Sequence, residues 1–289
     1  MSTFSGVITA MVTAFDADGG LDLPACRRIA RHLVEHGSDA LVLAGTTGES
    51  PTLSDDEKLA LIAAVRDELG PGATLIAGTG SNDTRHSVEL TRAATDAGAD
   101  AVLVVAPYYN KPNPAGVRAH FEAVAAATAL PVVVYNIPSR SVINVSPAEL
   151  AELAGIDNVV AVKQANDAEI EAIDGLDLLA GNDNTFLTAL RAGGTGGILV
   201  ASHLVGTQMK EIATAVAAGD DERAAEIDAE LQPLYETLSV TSNPIPVKTA
   251  LAMLGLCSET MRLPMVPASP EQRERIRAGL DRQGLSAAA

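Results

Sequence analysis

The chain is predicted to form a closed (β/α)₈ barrel with a helical C-terminal extension, and three observations carry that prediction. Strand-like and helix-like segments alternate eight times over about two hundred residues. The strand-like segments are apolar at nearly every position instead of every second one, the mark of parallel strands covered on both faces. The 289 residues suit one barrel, which typically needs about 250. A doubly wound open sheet is the competing arrangement, but no G-x-G-x-x-G follows the first strand.

Residues 6–15 read as the first strand, a turn covers 16–20, and an apolar helical period runs over 21–35. Residues 40–44 form a second strand. Ser54 and Glu57 then stand at capping-box spacing, opening a helix to about Leu69. Residues 74–79 are the third strand, with Asn82 or Asp83 capping a helix to Ala97. The fourth strand (101–106) precedes a helix over 114–128, and the fifth (131–135) a short helix over 146–154. The sixth strand spans 159–165, the seventh 176–180 and the eighth 197–201, with helices expected after each. Beyond Leu204 the β signal stops, and 205–218, 221–238, 246–254 and 270–283 look helical. The expected division is a catalytic barrel over 1–220 and a helical extension over 221–289.

Composition narrows the function classes. Apolar residues make up 47% and aromatics only 3%, so Val, Leu, Ile and Ala must fill the core. Cys26 and Cys257 form no C-x-x-C pair, which argues against a disulfide framework and a structural zinc site. The first six residues lack a basic region and an apolar run, and no segment is long enough to span a bilayer. A soluble cytoplasmic protein is the expectation. The net charge of −17 disfavours nucleic acid and anionic membranes as partners. An anionic substrate must therefore find a locally positive pocket.

The chemistry centres on Lys163, one of five lysines, set into the valine-rich sixth strand. A buried lysine loses hydration, which lowers its pKa and leaves a neutral amine able to attack a ketone. An edge-strand lysine facing water gives the same local pattern. Active sites of such barrels gather where the strands end and their βα loops begin. After strand two comes Gly45-Thr46-Thr47-Gly48-Glu49-Ser50, whose hydroxyls and amides suit a carboxylate or phosphate. After strand four comes Tyr108-Tyr109, and after strand five Tyr135-Asn136-Ile137-Pro138-Ser139-Arg140. A phenol can relay a proton and Arg140 can clamp a carboxylate. Gly181 follows strand seven and Gly197-Ile198 begins strand eight, leaving room beside the lysine.

Gly45-Thr46-Thr47-Gly48-Glu49, Tyr135-Asn136-x-Pro-x-Arg140 and Lys163, in this order and spacing, resemble the class I pyruvate aldolases of the dihydrodipicolinate synthase / N-acetylneuraminate lyase superfamily. The resemblance covers essentially the whole chain. Tyr108-Tyr109, the run Asn243-Pro244-Ile245-Pro246-Val247-Lys248 and Leu263-Pro264-Met265 look most like its dihydrodipicolinate synthase branch. The resemblance implies that Lys163 forms a Schiff base with pyruvate, whose enamine attacks L-aspartate 4-semialdehyde. It implies Tyr135 as acid/base group, relaying protons through Thr47 to a Tyr109 donated by a neighbouring subunit, hence a homodimer or homotetramer. Thr46 and Thr47 would hold the pyruvate carboxylate, Arg140 that of the semialdehyde, and the backbones of Gly181 and Ile198 would line the pocket. No metal or organic cofactor is called for, because the lysine adduct is itself the electron sink.

Departures from the family pattern fall at Ser141-Val142, where many members have Thr-Gly, and at Gln164, where Glu is frequent. In lysine-inhibited members an acidic effector residue occupies the position of His86, and two frequent histidines correspond to Asp55 and Lys58. Weak or absent inhibition by lysine is the expectation. A pyruvate lyase acting on a 2-keto-3-deoxy sugar acid or N-acetylneuraminate is the alternative within the superfamily. A non-catalytic keto-acid sensor is the alternative outside it, although binding alone needs no nucleophile.

Overall fold

The computed structural model describes residues 2–285; Met1 and the last four residues of the expected extension lie outside them. Eight parallel strands close a barrel in sequential order: β1 (Gly6–Ala10), β2 (Ala40–Leu43), β3 (Thr74–Gly78), β4 (Ala101–Val105), β5 (Val132–Asn136), β6 (Val159–Gln164), β7 (Asp177–Ala180) and β8 (Gly196–Leu199), with β8 returning to β1. The strands are apolar at most positions because both faces are covered. Ile8, Val42, Ile76, Leu103, Val133, Leu179 and Ile198 fill the barrel interior. Val7, Leu41, Leu75, Val102, Val134 and Leu178 pack outward into the larger core beneath the helices. Alternation along β6 puts Ala161 inside and Val162 outside, so Lys163 points inward. Register does the rest, since Tyr135 pairs with Lys163 across β5 and β6.

The surrounding helices are α1 (Leu23–Glu35), α2 (Asp55–Leu69), α3 (Thr84–Asp96), α4 (Pro114–Ala125), the short α5 (Pro138–Ser141), α6 (Pro147–Leu153), α7 (Phe186–Arg191) and α8 (Ser202–Ala218). After them come α9 (Asp221–Leu238), α10 (Ile245–Met253) and α11 (Pro270–Arg282). The capping box at α2 forms as its spacing requires, Ser54 N donating to Glu57 Oε2 at 2.9 Å and Glu57 N to Ser54 Oγ at 3.2 Å. At α3 the cap is Asp83, which accepts from Arg85 N at 2.9 Å.

Two elements differ from the sequence expectation. β1 stops at Ala10 rather than Phe15, because past Met11 the extended chain finds partners outside the sheet. Val12 N donates to His203 Nε2 at 3.1 Å, and Thr13 Oγ1 to Gly48 O at 2.7 Å. After β6 there is no α-helix, only a 3₁₀ turn over Asp167–Glu169. The short connection is held by polar side chains instead, with Asn166 capping the turn and Asn144 Nδ2 donating to Glu169 at 2.9 Å. Both cysteines are free, and burial pushes each thiol up to about 11. Among the described residues no helix is long and apolar enough to cross a membrane.

Candidate active site

Lys163 lies at the C-terminal end of β6 and is only 5% exposed, its Nζ 4.3 Å from the centroid of the Tyr135 ring. Burial pulls its ammonium pKa down to about 8; the Asp183 carboxylate opposes that fall and the Arg140 guanidinium adds to it. Tyr135 is buried beside it. Burial pushes the phenol up to about 12, against the opposing influence of the Thr46 side chain and the Arg140 charge. The pair is thus a lysine near neutrality and a tyrosine that holds its proton, which suits amine attack followed by proton donation.

The loop after β2 is wound tightly above them. Gly48 N and Ser50 N both donate to Gly45 O, at 3.1 and 3.2 Å, and Glu49 N donates to Thr46 O at 3.1 Å. Ala44 and Glu49 take left-handed φ values of 52° and 54°, a strain that persists only when neighbouring contacts impose it. Those contacts come from the C-terminal segment, α10 and the turns on either side of it. Glu49 Oε1 accepts from Lys248 Nζ of α10 at 2.6 Å, a pair almost wholly sequestered from water, and Glu49 Oε2 accepts from Arg262 N at 3.2 Å. Phe15 packs its ring 4.2 Å from the Lys248 nitrogen. Asn243 ties two further groups together: its Nδ2 donates to Thr47 Oγ1 at 2.9 Å, and its carbonyl accepts from Arg140 Nη2 at 3.1 Å.

Thr46, Thr47, Tyr135, Arg140, Lys163 and Gly181 line one cavity of about 520 Å³. Gly181 must be glycine, since a Cβ there would stand 2.6 Å from Gln164 O and 2.7 Å from the Ala165 Cβ. Ile198 is fully buried in the barrel interior, and Val200, the residue just after β8, lines the cavity. Tyr109 lies apart. It is 85% exposed with φ 73°, on a loop pinned by Asn110 Nδ2 donating to Asn82 O at 2.8 Å. Gln164, at the position where the family often has Glu, accepts from Asn136 Nδ2 and Asn166 N, both at 3.0 Å, and so knots the ends of β5 and β6. Val142 takes a left-handed φ of 67° and is largely exposed, while Ser141 turns its hydroxyl back to Ile137 O at 2.8 Å.

A second cavity, of about 580 Å³, shares the Thr46, Tyr135 and Arg140 wall and extends to Asp55, Lys58, Asn82, His86 and Tyr108. Asp55 bonds to His86 Nε2 at 2.8 Å and to Lys58 Nζ at 3.1 Å. Burial works to raise this carboxyl, but the two partners hold it below the usual carboxylate range. Among the described residues no three His, Cys, Asp or Glu side chains gather closely enough to hold a metal ion.

Asp183, Asn243 and the Glu49–Lys248 pair form part of this site, and the sequence reading assigned no role to any of them. Lys248 stood out as a charge inside a mostly apolar helix and as the end of the Asn243–Lys248 run, but nothing local joins it to Glu49, 199 residues away.

A parallel eight-stranded barrel with a desolvated strand lysine, an adjacent protonated phenol and an arginine at the cavity defines a class of protein, the Schiff-base barrels that work on small keto acids. The comparisons place the chain more narrowly: it belongs to the dihydrodipicolinate synthetase family, whose model matches residues 3–283. The 4-hydroxy-tetrahydrodipicolinate synthase of Moorella thermoacetica is 48% identical over 96% of this chain and 98% of its own. That of Desulforudis audaxviator is 47% identical over 95% and 96%. Among solved structures, dihydrodipicolinate synthase from Aquifex aeolicus superposes with a TM-score of 0.95 at 38% identity over 99% of this chain and 100% of its own. A protein described as the first monomeric dihydrodipicolinate synthase variant gives 0.95 at 40% identity over 98% and 97%.

Proposed function

We propose that this chain condenses pyruvate with L-aspartate 4-semialdehyde to give 4-hydroxy-tetrahydrodipicolinate, in lysine and diaminopimelate biosynthesis. One observation carries the reading: Lys163 is buried, held near pKa 8 and paired in register with Tyr135. About a tenth of such lysines are neutral at pH 7. Neutral Nζ attacks C2 of pyruvate, forming the N–C bond while the carbonyl oxygen takes a proton from Tyr135. A second proton, taken from Nζ by the Tyr135 phenolate and passed on to that oxygen, lets it leave as water and a cationic iminium forms. The Tyr135 phenolate then removes a methyl proton to give the enamine. The enamine carbon attacks the aldehyde carbon of the second substrate, whose oxygen takes a proton. The amino group of that substrate then displaces Lys163 as the ring closes.

Thr46 and Thr47, with the amides of their loop, receive the pyruvate carboxylate, and Gly181 leaves room for the ketone. Arg140 faces the carboxylate of the semialdehyde, the positive pocket that a chain of net charge −17 needs for an anionic substrate. Tyr109 completes the proton relay from a second subunit in a homodimer or a dimer of dimers. Its exposure in the isolated chain and its left-handed backbone support that assignment.

The test is pyruvate consumption with L-aspartate 4-semialdehyde beside a panel of sugar aldehydes. Turnover with the semialdehyde is expected, lost in Lys163→Ala and slowed about 10² to 10⁴-fold in Tyr135→Phe. Turnover with sugar aldehydes alone would overturn the proposal and leave the Schiff base standing.

A further inference from the structure

Asp183 follows β7 by three residues and lines the same cavity as Lys163 and Tyr135. Its Oδ1 accepts from Val200 N at 2.8 Å and from Ala201 N at 3.0 Å, fixing the turn between β8 and α8. Its Oδ2 makes no hydrogen bond among the described residues. The chain has thus brought one carboxylate to the inner cavity wall and bonded only half of it. The charged and titratable groups around Lys163 are few. Tyr135 comes from β5, Arg140 from α5, Asp183 from the turn after β7, and Tyr235 and Glu236 from α9. Tyr135 holds its proton, Arg140 is cationic, and Glu236 lies at the exposed rim. Tyr235 is buried, and its hydroxyl has no partner among the described residues.

That leaves Asp183 as the anion of the inner cavity. We infer that Asp183 is the counter-charge to the nitrogen of Lys163, stabilising the cationic iminium across the cavity without touching it. The inference rests on the Schiff-base reading above and deepens it. The step that needs the charge is the loss of water from the carbinolamine. Tyr135 gives a proton to the carbinolamine hydroxyl, and the C–O bond breaks with its electron pair leaving on oxygen as water. The nitrogen lone pair forms the C=N bond, so the positive charge appears on Nζ of a lysine only 5% exposed. A fixed carboxylate stabilises charge developing there more than it would in water. Burial raises the Asp183 carboxyl, and the two amides and Lys163 work against that rise and favour the ionised form. The same carboxylate opposes the desolvation of Lys163 in the free enzyme. Asp183 therefore acts through Lys163, as a positioning residue.

Borohydride trapping of pyruvate, followed against pH without any aldehyde, tests this separately from the identity of the second substrate. Asp183→Asn keeps an oxygen for both backbone amides and removes the charge. Asp183→Ser keeps an acceptor in a smaller side chain, and Asp183→Glu keeps the charge while disturbing the turn. Both neutral variants are expected to move the acid limb of the trapping rate to lower pH by about one unit, the usual effect of losing a nearby opposite charge. They also lose about tenfold in adduct formed, while Asp183→Glu keeps the limb in place. A limb unmoved in the neutral variants, or one that moves in all three alike, overturns the inference. No trapping in the wild-type protein overturns the Schiff-base reading with it.

Discussion

Lys163 should make the protein less stable than it could be, and the size of that effect follows from its surroundings. The ammonium has a pKa near 10.5 in an unfolded chain and about 8 in the folded one, because burial disfavours the charge. Between these values the unfolded chain binds more protons, so stability rises with pH through the window from about 8 to 10.5 and the penalty is fully present below it. At 1.36 kcal/mol per pH unit the gap amounts to about 3 kcal/mol. Replacing Lys163 by Met removes the charge, keeps a flexible chain of similar length and retains most of the packing against Tyr135. Urea denaturation of both proteins at pH 7 and pH 10 measures the effect, since groups common to both cancel in the difference. Lys163→Met is expected to be more stable by about 2–3 kcal/mol at pH 7, with most of that advantage gone at pH 10. A variant less stable than wild type at pH 7, or a difference that ignores pH, would refute the claim that the lysine is held against its hydration.

Other expectations are briefer. Glu49→Gln leaves Lys248 buried without its counter-charge and should lower stability by about 3–5 kcal/mol in a urea titration; the double variant Glu49→Met/Lys248→Met should recover most of it. If Tyr109 acts across an interface, mixing Tyr109→Phe with Lys163→Ala, each nearly inactive, should restore up to about a quarter of wild-type turnover through mixed dimers; no recovery after subunit exchange places Tyr109 outside the partner's site. Asp55 is already bonded to His86 and Lys58, so L-lysine finds no free carboxylate there and should inhibit only weakly; strong inhibition at sub-millimolar lysine, on the order of ordinary effector couplings, would contradict this.

What could be read from the sequence is what local composition determines. Eight runs of Val, Leu, Ile and Ala announce strands with two apolar faces, and a charge inside one of them marks the candidate site. Strand ends were less legible. Met11 to Phe15 are as apolar as β1 itself, and they leave the sheet because His203 and Gly48, distant in sequence, take their hydrogen bonds. The missing helix after β6 has a more local cause: Asn166 Oδ1 accepts from Ala168 N and turns the chain into a 3₁₀ cap, while Asn144 holds the Glu169 side chain. Asp183 was visible as a residue after β7, but its proximity to Lys163 depends on barrel closure. The Glu49–Lys248 pair joins segments that no local pattern connects.

That pair also ties the C-terminal segment to the loop after β2. A loop rich in glycine, with Ala44 and Glu49 left-handed, can bring amides and hydroxyls to a carboxylate, but such a backbone does not hold itself in one arrangement. Preorganisation has to be supplied from outside. Here it comes from Asn243, Lys248 and Arg262, which reach back to Thr47 and Glu49. Asn243 holds Arg140 as well, so the groups proposed to face the two substrate carboxylates share one anchor. In the proposed mechanism the barrel supplies the nucleophile, rigid on a strand, while the segment after it sets the electrostatic frame in which that nucleophile works. Loosening α10 should therefore reduce catalysis before it unfolds the barrel.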